Sequence, residues 1–320
     1  MSKSVLGCGR WGGFIAWYLA KNCKNKEVFS WGPSSDKIFQ TLKQSGKNEY
    51  LTMPSNVVVT DNLKDAISSE MIIISISSQH LRSFAKKLNE FDLQGKTFVL
   101  AMKGLEQGSG LRLTQVFRQE IKQNINLAIW VGPGHVQSFV KNIPNCMVIC
   151  STSLVLTKSI VNQLESSLIR FYFGDDLLGN EIGAAAKNVM GIAAGMLDGM
   201  GIPALKGALM ARGANEISNL IATLGGNRLT AYGLCHLGDY EATLFSQNSH
   251  NRRFGEMFVG EKMFQKLAEG VATSGALLDL AKTNNVDIPI TKMVHSVING
   301  NQPYKTAIQT LFERPSKSEF

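Results

Sequence analysis

Ser4-Val5-Leu6-Gly7-Cys8-Gly9-Arg10-Trp11-Gly12 places a short β-forming run, a glycine-rich turn and the first residues of a helix in immediate succession. The glycines follow the spacing G-x-G-x-x-G. In such a turn Gly7 permits the tight bend, Gly9 lets backbone approach a pyrophosphate, and Gly12 lets the helix pack close to the strand. The helix N-terminus adds unpaired N–H groups and the positive end of its dipole, which suit phosphate. The spacing alone is a weak signal; the alternation that follows strengthens it. Patterning predicts strands over 4–6, 28–31, 57–59, 71–76, 97–100, 127–131, 147–150 and 170–173, with helices over 12–21, 63–69, 79–88 and 111–122. Met71-Ile72-Ile73-Ile74-Ser75-Ile76 is the apolar run expected of a parallel strand covered on both faces. The fold class is α/β: residues 1–175 form a Rossmann-like, doubly wound parallel sheet that binds NAD or NADP. Past 175 strand signals nearly vanish, and helices are predicted over 181–200, 205–224, 254–257, 262–284, 290–299 and 304–312. Residues 176–320 are therefore read as an all-helical domain.

A length of 320 residues suits two domains with cores large enough to need no disulfide or metal staple. With 44% hydrophobic and 18% charged residues, a disordered chain is excluded. Lys+Arg 33 against Asp+Glu 25 gives a net charge of +8, which favours small anionic partners. No recognition motif, aromatic-studded basic groove or basic tail points to nucleic acid. Cysteines at 8, 23, 146, 150 and 235 form no C-x-x-C and no zinc spacing, so no metal is expected and a reducing compartment fits. Lys3 is present, but Val5 and Leu6 run at once into glycines and Arg10, which is no signal peptide, and no apolar run approaches the ~20 residues of a membrane span. A cytoplasmic protein is expected.

An NAD site commonly carries an acid just after the second strand. Trp31-Gly32-Pro33-Ser34-Ser35-Asp36 has neither that acid nor an arginine for a 2′-phosphate, so NAD and NADP both stay open. Asp36 reads either as a ribose ligand or as a helix cap. Lys187 is the one cation in Glu181–Met200, a stretch with five alanines and four glycines. An amine pressed into such a wall loses proton affinity and becomes a general acid or base near neutral pH. The alternative is a lysine that snorkels from the helix edge. Gly233 to Asp239 is a glycine-flanked loop ending in an acid, and Ser249-His250-Asn251-Arg252-Arg253-Phe254-Gly255 is a polar, basic stretch suited to a small anion or a solvated turn. Lys103 lies just past a strand end, where ligands of open α/β sheets bind.

In combination these features resemble the bacterial-type NAD(P)-dependent glycerol-3-phosphate dehydrogenases. The likeness rests on ordered motifs along nearly the whole chain: Gly7-x-Gly9-x-Trp11-Gly12, Ser78-Gln79-His80-Leu81-Arg82, Lys103-Gly104-Leu105-Glu106, Gly132-Pro133, Lys187-Asn188, Ala211-Arg212-Gly213, Leu237-Gly238-Asp239, Asn251-Arg252-Arg253-Phe254-Gly255, Glu269-Gly270 and Ile288-Pro289-Ile290. The resemblance implies reversible hydride transfer between NAD(P)H and dihydroxyacetone phosphate, giving sn-glycerol 3-phosphate for phospholipid synthesis. It implies Lys187 as the acid/base, with Lys103, Gly132, Gly134, Asp239, Ser249, His250 and Asn251 on the substrate. It assigns Gly7, Gly9, Arg10, Trp11, Gly12, Lys103, Val136, His250, Leu267 and Glu269 to the cofactor. Two departures stand out. His250 replaces an arginine that bridges substrate phosphate and cofactor, and Gly134 replaces a Ser or Thr. Arg252, Arg253 or a protonated His250 would have to compensate. A related oxidoreductase acting on another small keto-phosphate or keto-acid, or a catalytically weak dinucleotide-binding protein, stands as the alternative. The Gly/Ala-rich helices suggest a homodimer through close approach of small residues.

Overall fold

The structure is a computed structural model that describes residues 2–23, 26–316 and 318–319. The chain divides into two compact units, Met1–Met102 with Leu113–Asp175, and Lys103–Arg112 with Asp176–Phe320.

The first unit is built on one eight-stranded sheet of β1 (Lys3–Leu6), β2 (Val28–Trp31), β3 (Val57–Thr60), β4 (Met71–Ile74), β5 (Thr97–Leu100), β6 (Asn126–Val131), β7 (Asn145–Ser151) and β8 (Ile169–Gly174). Their order is β3-β2-β1-β4-β5-β6-β7-β8. The helices are α1 (Arg10–Asn22), α2 (Lys37–Ser45), α3 (Leu63–Ile67), α4 (Leu81–Leu88), α5 (Leu113–Glu120), α6 (Val136–Val140) and α7 (Leu154–Leu164). The sheet is parallel with one correction to the sequence reading: β6 and β7 pair antiparallel, with Trp130 opposite Ile149. The cause lies in the connection. Its only helix, α6, has five residues and spans about 8 Å, whereas β6 has six residues and runs about 20 Å, so the chain turns back at the same end of the sheet. Every residue from Gly12 to Ala20 in α1 is buried, and Phe14, Tyr18, Trp130, Phe139 and Ile149 share one core. A helix apolar on all sides sits in an interior, which holds the glycine turn rigidly at its N-terminus. Asp36 takes the capping role: its Oδ1 accepts from Ile38 N at 2.7 Å and Phe39 N at 3.3 Å, opening α2.

The second unit comprises α8 (Leu177–Gly199), α9 (Lys206–Thr223), α10 (His250–Val259), α11 (Glu269–Thr283), α12 (Pro289–Ile298) and α13 (Tyr304–Phe312), joined by short 3₁₀ turns and one π-helical turn, Glu241–Phe245. Asp176 starts α8 by accepting from Gly179 N at 2.9 Å. Helix α8 is central and almost wholly buried. A Cβ at Gly195 would lie 1.8 Å from Arg252 O, and one at Gly255 would lie 2.1 Å from Ile192 O, so α8 and α10 meet backbone to backbone. The small residues of α8 thus pack inside the unit, and this helix offers no surface for the close approach of a second copy. Segment Lys103–Arg112 folds here because Leu105 is fully buried in the helical core and Arg112 Nη1 reaches Glu181 Oε2 at 2.6 Å. The helix expected over 262–284 begins only at Glu269: Glu261 adopts φ 54°, and the apolar Met263 and Leu267 stay 82% and 58% exposed, with no burial to hold a helix there. Among the described residues no helix is long and apolar enough to cross a membrane.

The α8–α10 contact yields a stability prediction. Gly195→Ala is expected to destabilise the protein by about 2 kcal/mol or more, because a methyl group there displaces backbone. Gly207→Ala in α9, whose Cβ would meet nothing within 4 Å, is expected to be neutral or to stabilise by up to about 1 kcal/mol. Urea denaturation of both variants decides it; equal midpoints would contradict the packing argument.

Candidate active site

Lys187 lies near the middle of α8, where its side chain is 12% exposed. Its Nζ donates to Thr243 Oγ1 at 2.8 Å and stands 3.2 Å from Asp239 Oδ2. Lys103 Nζ approaches the same Oδ2 to 2.6 Å, and the Asp239 side chain is 2% exposed. One buried carboxylate therefore holds two ammonium groups. Burial pushes the Lys187 amine down to about 8, the charge of Lys103 adds to that, and Asp239 opposes both. Of the two readings open for Lys187, the structure shows the enclosed amine and not the snorkelling one.

The neighbours explain how Asp239 is held. His236 and Tyr240 are fully buried on either side of it. His236 Nδ1 lies 2.8 Å from Gly183 O; a carbonyl only accepts, so Nδ1 carries the hydrogen, and Nε2 accepts from Tyr240 Oη at 2.6 Å. Burial pushes His236 down to about 4, which keeps the ring neutral. The missing side chain of Gly191 admits Thr243 and Asn251 to the α8 surface: a Cβ there would sit 2.8 Å from Thr243 Cγ2 and 3.2 Å from Asn251 Cβ. Thr243, His236 and Tyr240 were not singled out from the sequence. Asp239 ends a 3₁₀ turn and Thr243 lies in the π-helical turn after it, so no regular helical spacing marks the pair in the sequence.

A second group gathers at the start of α10. Ser249 caps that helix, its Oγ accepting from Arg252 N at 3.3 Å. Asn251 Nδ2 donates to Asn188 Oδ1 at 3.0 Å, and Asn251 Oδ1 accepts from Gly270 N at 2.9 Å. Asn188 follows Lys187, so this bridge ties the first turn of α11, including Glu269, to the lysine's own turn. His250 Nδ1 lies 3.3 Å from Leu267 O. Of the two arginines weighed as compensation for His250, Arg252 has its Nε 2.5 Å from Asp198 Oδ2 and Arg253 is exposed.

The remaining candidates lie in the first unit. Gly7 has φ +116°, and a Cβ there would fall 2.1 Å from Ser75 O; a Cβ at Gly12 would fall 1.9 Å from Gly7 O; a Cβ at Gly9 would meet nothing within 4 Å. Gly9 caps α1 without a side-chain hydrogen bond, so no capping side chain occupies the first N–H groups of the helix. This turn fits a dinucleotide pyrophosphate. Arg10 Nη2 donates to Gln137 Oε1 at 2.8 Å, and the Trp11 ring lies 6.4 Å from that of Phe139. The candidates at 132–136 thus sit beside the glycine turn. Gly132 has φ +121°, and Val136 opens α6 with its side chain buried. A Cβ at Gly134 would lie 2.5 Å from Phe139 Cε2, so this chain excludes the hydroxyl residue expected there unless that ring moves.

The N-terminal family model, described as NAD-dependent glycerol-3-phosphate dehydrogenase N-terminus, matches residues 3–156, and its C-terminal counterpart matches 176–309. The chain belongs to this family. Glycerol-3-phosphate dehydrogenase [NAD(P)+] of Fusobacterium nucleatum is 33% identical, across 99% of this chain and 98% of its own length. The protein of the same name from Pelodictyon phaeoclathratiforme is also 33% identical, across 100% and 99%. The crystal structure of glycerol-3-phosphate dehydrogenase from Coxiella burnetii superposes with a TM-score of 0.89 at 26% identity, covering 98% of this chain and 99% of that one. The resemblance read in the sequence thus extends over both units.

The depressed Lys187 amine carries a signed consequence for stability. Unfolded, a lysine holds its proton to about 10.5; folded, Lys187 releases it near 8. Between those values the unfolded chain binds more protons, so this residue makes stability rise with pH, by up to about 1.4 kcal/mol per unit. Lys187→Met is expected to remove that slope. Urea midpoints measured from pH 8 to 10 for both proteins test it, and identical slopes would contradict the buried amine.

Proposed function

We propose that this chain interconverts dihydroxyacetone phosphate and sn-glycerol 3-phosphate, with NAD or NADP as hydride partner and Lys187 as general acid and base. The observation that carries the reading is the Lys187 amine, nearly buried and poised to exchange its proton near neutrality between Asp239 and Thr243. Gly7, Gly9 and Gly12, with Arg10, Trp11 and the buried Val136 alongside, would hold the dinucleotide. A reduced nicotinamide, when bound, supplies the hydride that reaches the ketone carbon. Reduction also consumes one proton, and Lys187 Nζ donates it to the carbonyl oxygen as negative charge develops there. The amine is left neutral, which its surroundings tolerate, and recovers a proton from water. Asp239 and Thr243 aim Nζ; Lys103 adds positive charge beside the same oxygen. Gly132, Gly134, Ser249, His250 and Asn251 complete the substrate contacts, with His250, Lys103, Leu267 and Glu269 on the cofactor side.

The product would feed phospholipid synthesis in the cytoplasm. A homodimer would have to form through a surface other than α8. One observation favours a second reading, a related small keto-phosphate or keto-acid as substrate. At 250 a histidine held 3.3 Å from a backbone carbonyl stands where guanidinium would offer a charged fork.

Oxidation of NADH or NADPH on adding dihydroxyacetone phosphate tests the main reading; no turnover with either at millimolar substrate rejects it. Lys187→Met is expected to lower kcat by about 10²–10⁴-fold. The acid must be protonated for reduction and neutral for oxidation. With the amine near 8, kcat for reduction is expected to fall as pH rises through that value and kcat for oxidation to rise. Profiles of the same sign in both directions would contradict the assignment. His250→Arg is expected to lower KM for dihydroxyacetone phosphate about tenfold; an unchanged KM together with faster turnover of a keto-acid would favour the second reading.

A further inference from the structure

The second unit contains a cavity of about 320 Å³ between α8, α9, α12 and α13. Lys103, Lys187, Asp239 and Asn251 take no part in its lining. Its walls include Leu197, Leu209, Met293 and Leu311, and its polar side carries Arg212 and Asn215. The volume falls at the small end of ligand pockets, and an apolar wall with a few convergent polar groups is the usual make-up of such sites.

Two independent observations point to a ligand. Asn215 is 6% exposed and lines the cavity, and among the described residues its buried Oδ1 accepts no hydrogen bond, while Nδ2 lies 3.5 Å from Glu319 O. Buried acceptors are seldom left unmet, so this oxygen asks for a donor. Arg212 Nη1 donates at 2.9 Å to that same backbone carbonyl, and among the described residues no carboxylate lies within ion-pair distance of it. Among the described residues that guanidinium meets a neutral oxygen, in the place where an anionic oxygen binds more strongly. The acids of the lining are already engaged: Glu216 receives Ile290 N and Thr291 N at the start of α12, and Asp287 pairs with Arg314.

We propose that this cavity is a second binding site, for a small amphiphile with an aliphatic body, a hydroxyl donor for Asn215 Oδ1 and a carboxylate for Arg212. The site stands apart from the hydride-transfer reading, and neither depends on the other.

Calorimetric titration of the full chain with 3-hydroxyoctanoate, octanoate and 1-octanol tests the proposal. Saturable one-to-one binding of 3-hydroxyoctanoate is expected, about tenfold tighter than octanoate, with 1-octanol weaker than either. Arg212→Gln is expected to weaken the two acids about tenfold and leave 1-octanol unchanged. Asn215→Ala is expected to erase the difference between 3-hydroxyoctanoate and octanoate. Ala208→Phe fills the cavity from an exposed position and is expected to abolish binding with the thermal midpoint retained. No saturable binding at millimolar concentration overturns the proposal, as does binding that Ala208→Phe and Arg212→Gln leave intact. A change of sedimenting mass in Ala208→Phe would assign the cavity to a second copy of the chain and would also overturn it.

Discussion

Oδ2 of Asp239, on a side chain 2% exposed, lies 2.6 Å from one ammonium and 3.2 Å from another. A carboxylate so far from water persists only because the two cations beside it replace its hydration. The cluster then carries an excess positive charge inside a low-dielectric wall. Burial is the main cause of the lowered proton affinity of Lys187; Lys103 adds to it and Asp239 opposes it, while the excess charge favours negative charge that develops beside it. The acid that gathers the two lysines holds Lys187 in the enclosed place where burial readies it to release a proton.

The surrounding architecture serves that arrangement. Helix α8 gives up side-chain volume at Gly183, Gly191 and Gly195, and three segments close onto it there. A Cβ at Gly183 would strike Cys235 Sγ at 2.8 Å, and one at Gly195 would strike the backbone of α10. The first approach brings His236, Tyr240 and Asp239; the second brings Ser249 and Asn251. A helix of larger residues would stand off from both and leave Lys187 wet. The composition of Glu181–Met200 is therefore a condition for the amine's chemistry.

Much of this was legible in the sequence. The Gly7–Gly12 turn has the geometry its spacing predicts, and strands 28–31 and 97–100 begin and end where patterning places them. Lys187 among alanines and glycines left an enclosed amine and a snorkelling one equally open, and the 12% exposure of its side chain decides for the first. The reversal of β7 was not legible, since strand composition carries no direction and only the short α6 connection decides it. Nor was the membership of Lys103–Arg112, which depends on where Leu105 finds its core and lies beyond any local pattern. Thr243 escaped notice because an isolated threonine looks alike in any helix; its role arises from the turn that brings it back to Nζ. The exclusion of a hydroxyl residue at 134 comes from Phe139, five residues on, and is a matter of packing.

The central claim is that the Lys187 amine titrates far below an ordinary lysine, and ¹³C-ε-lysine NMR measures that directly. The Lys187 signal, identified by its loss in Lys187→Met, is predicted to move with a midpoint near 8. A midpoint at 10.5, where an unperturbed lysine titrates, would contradict the account.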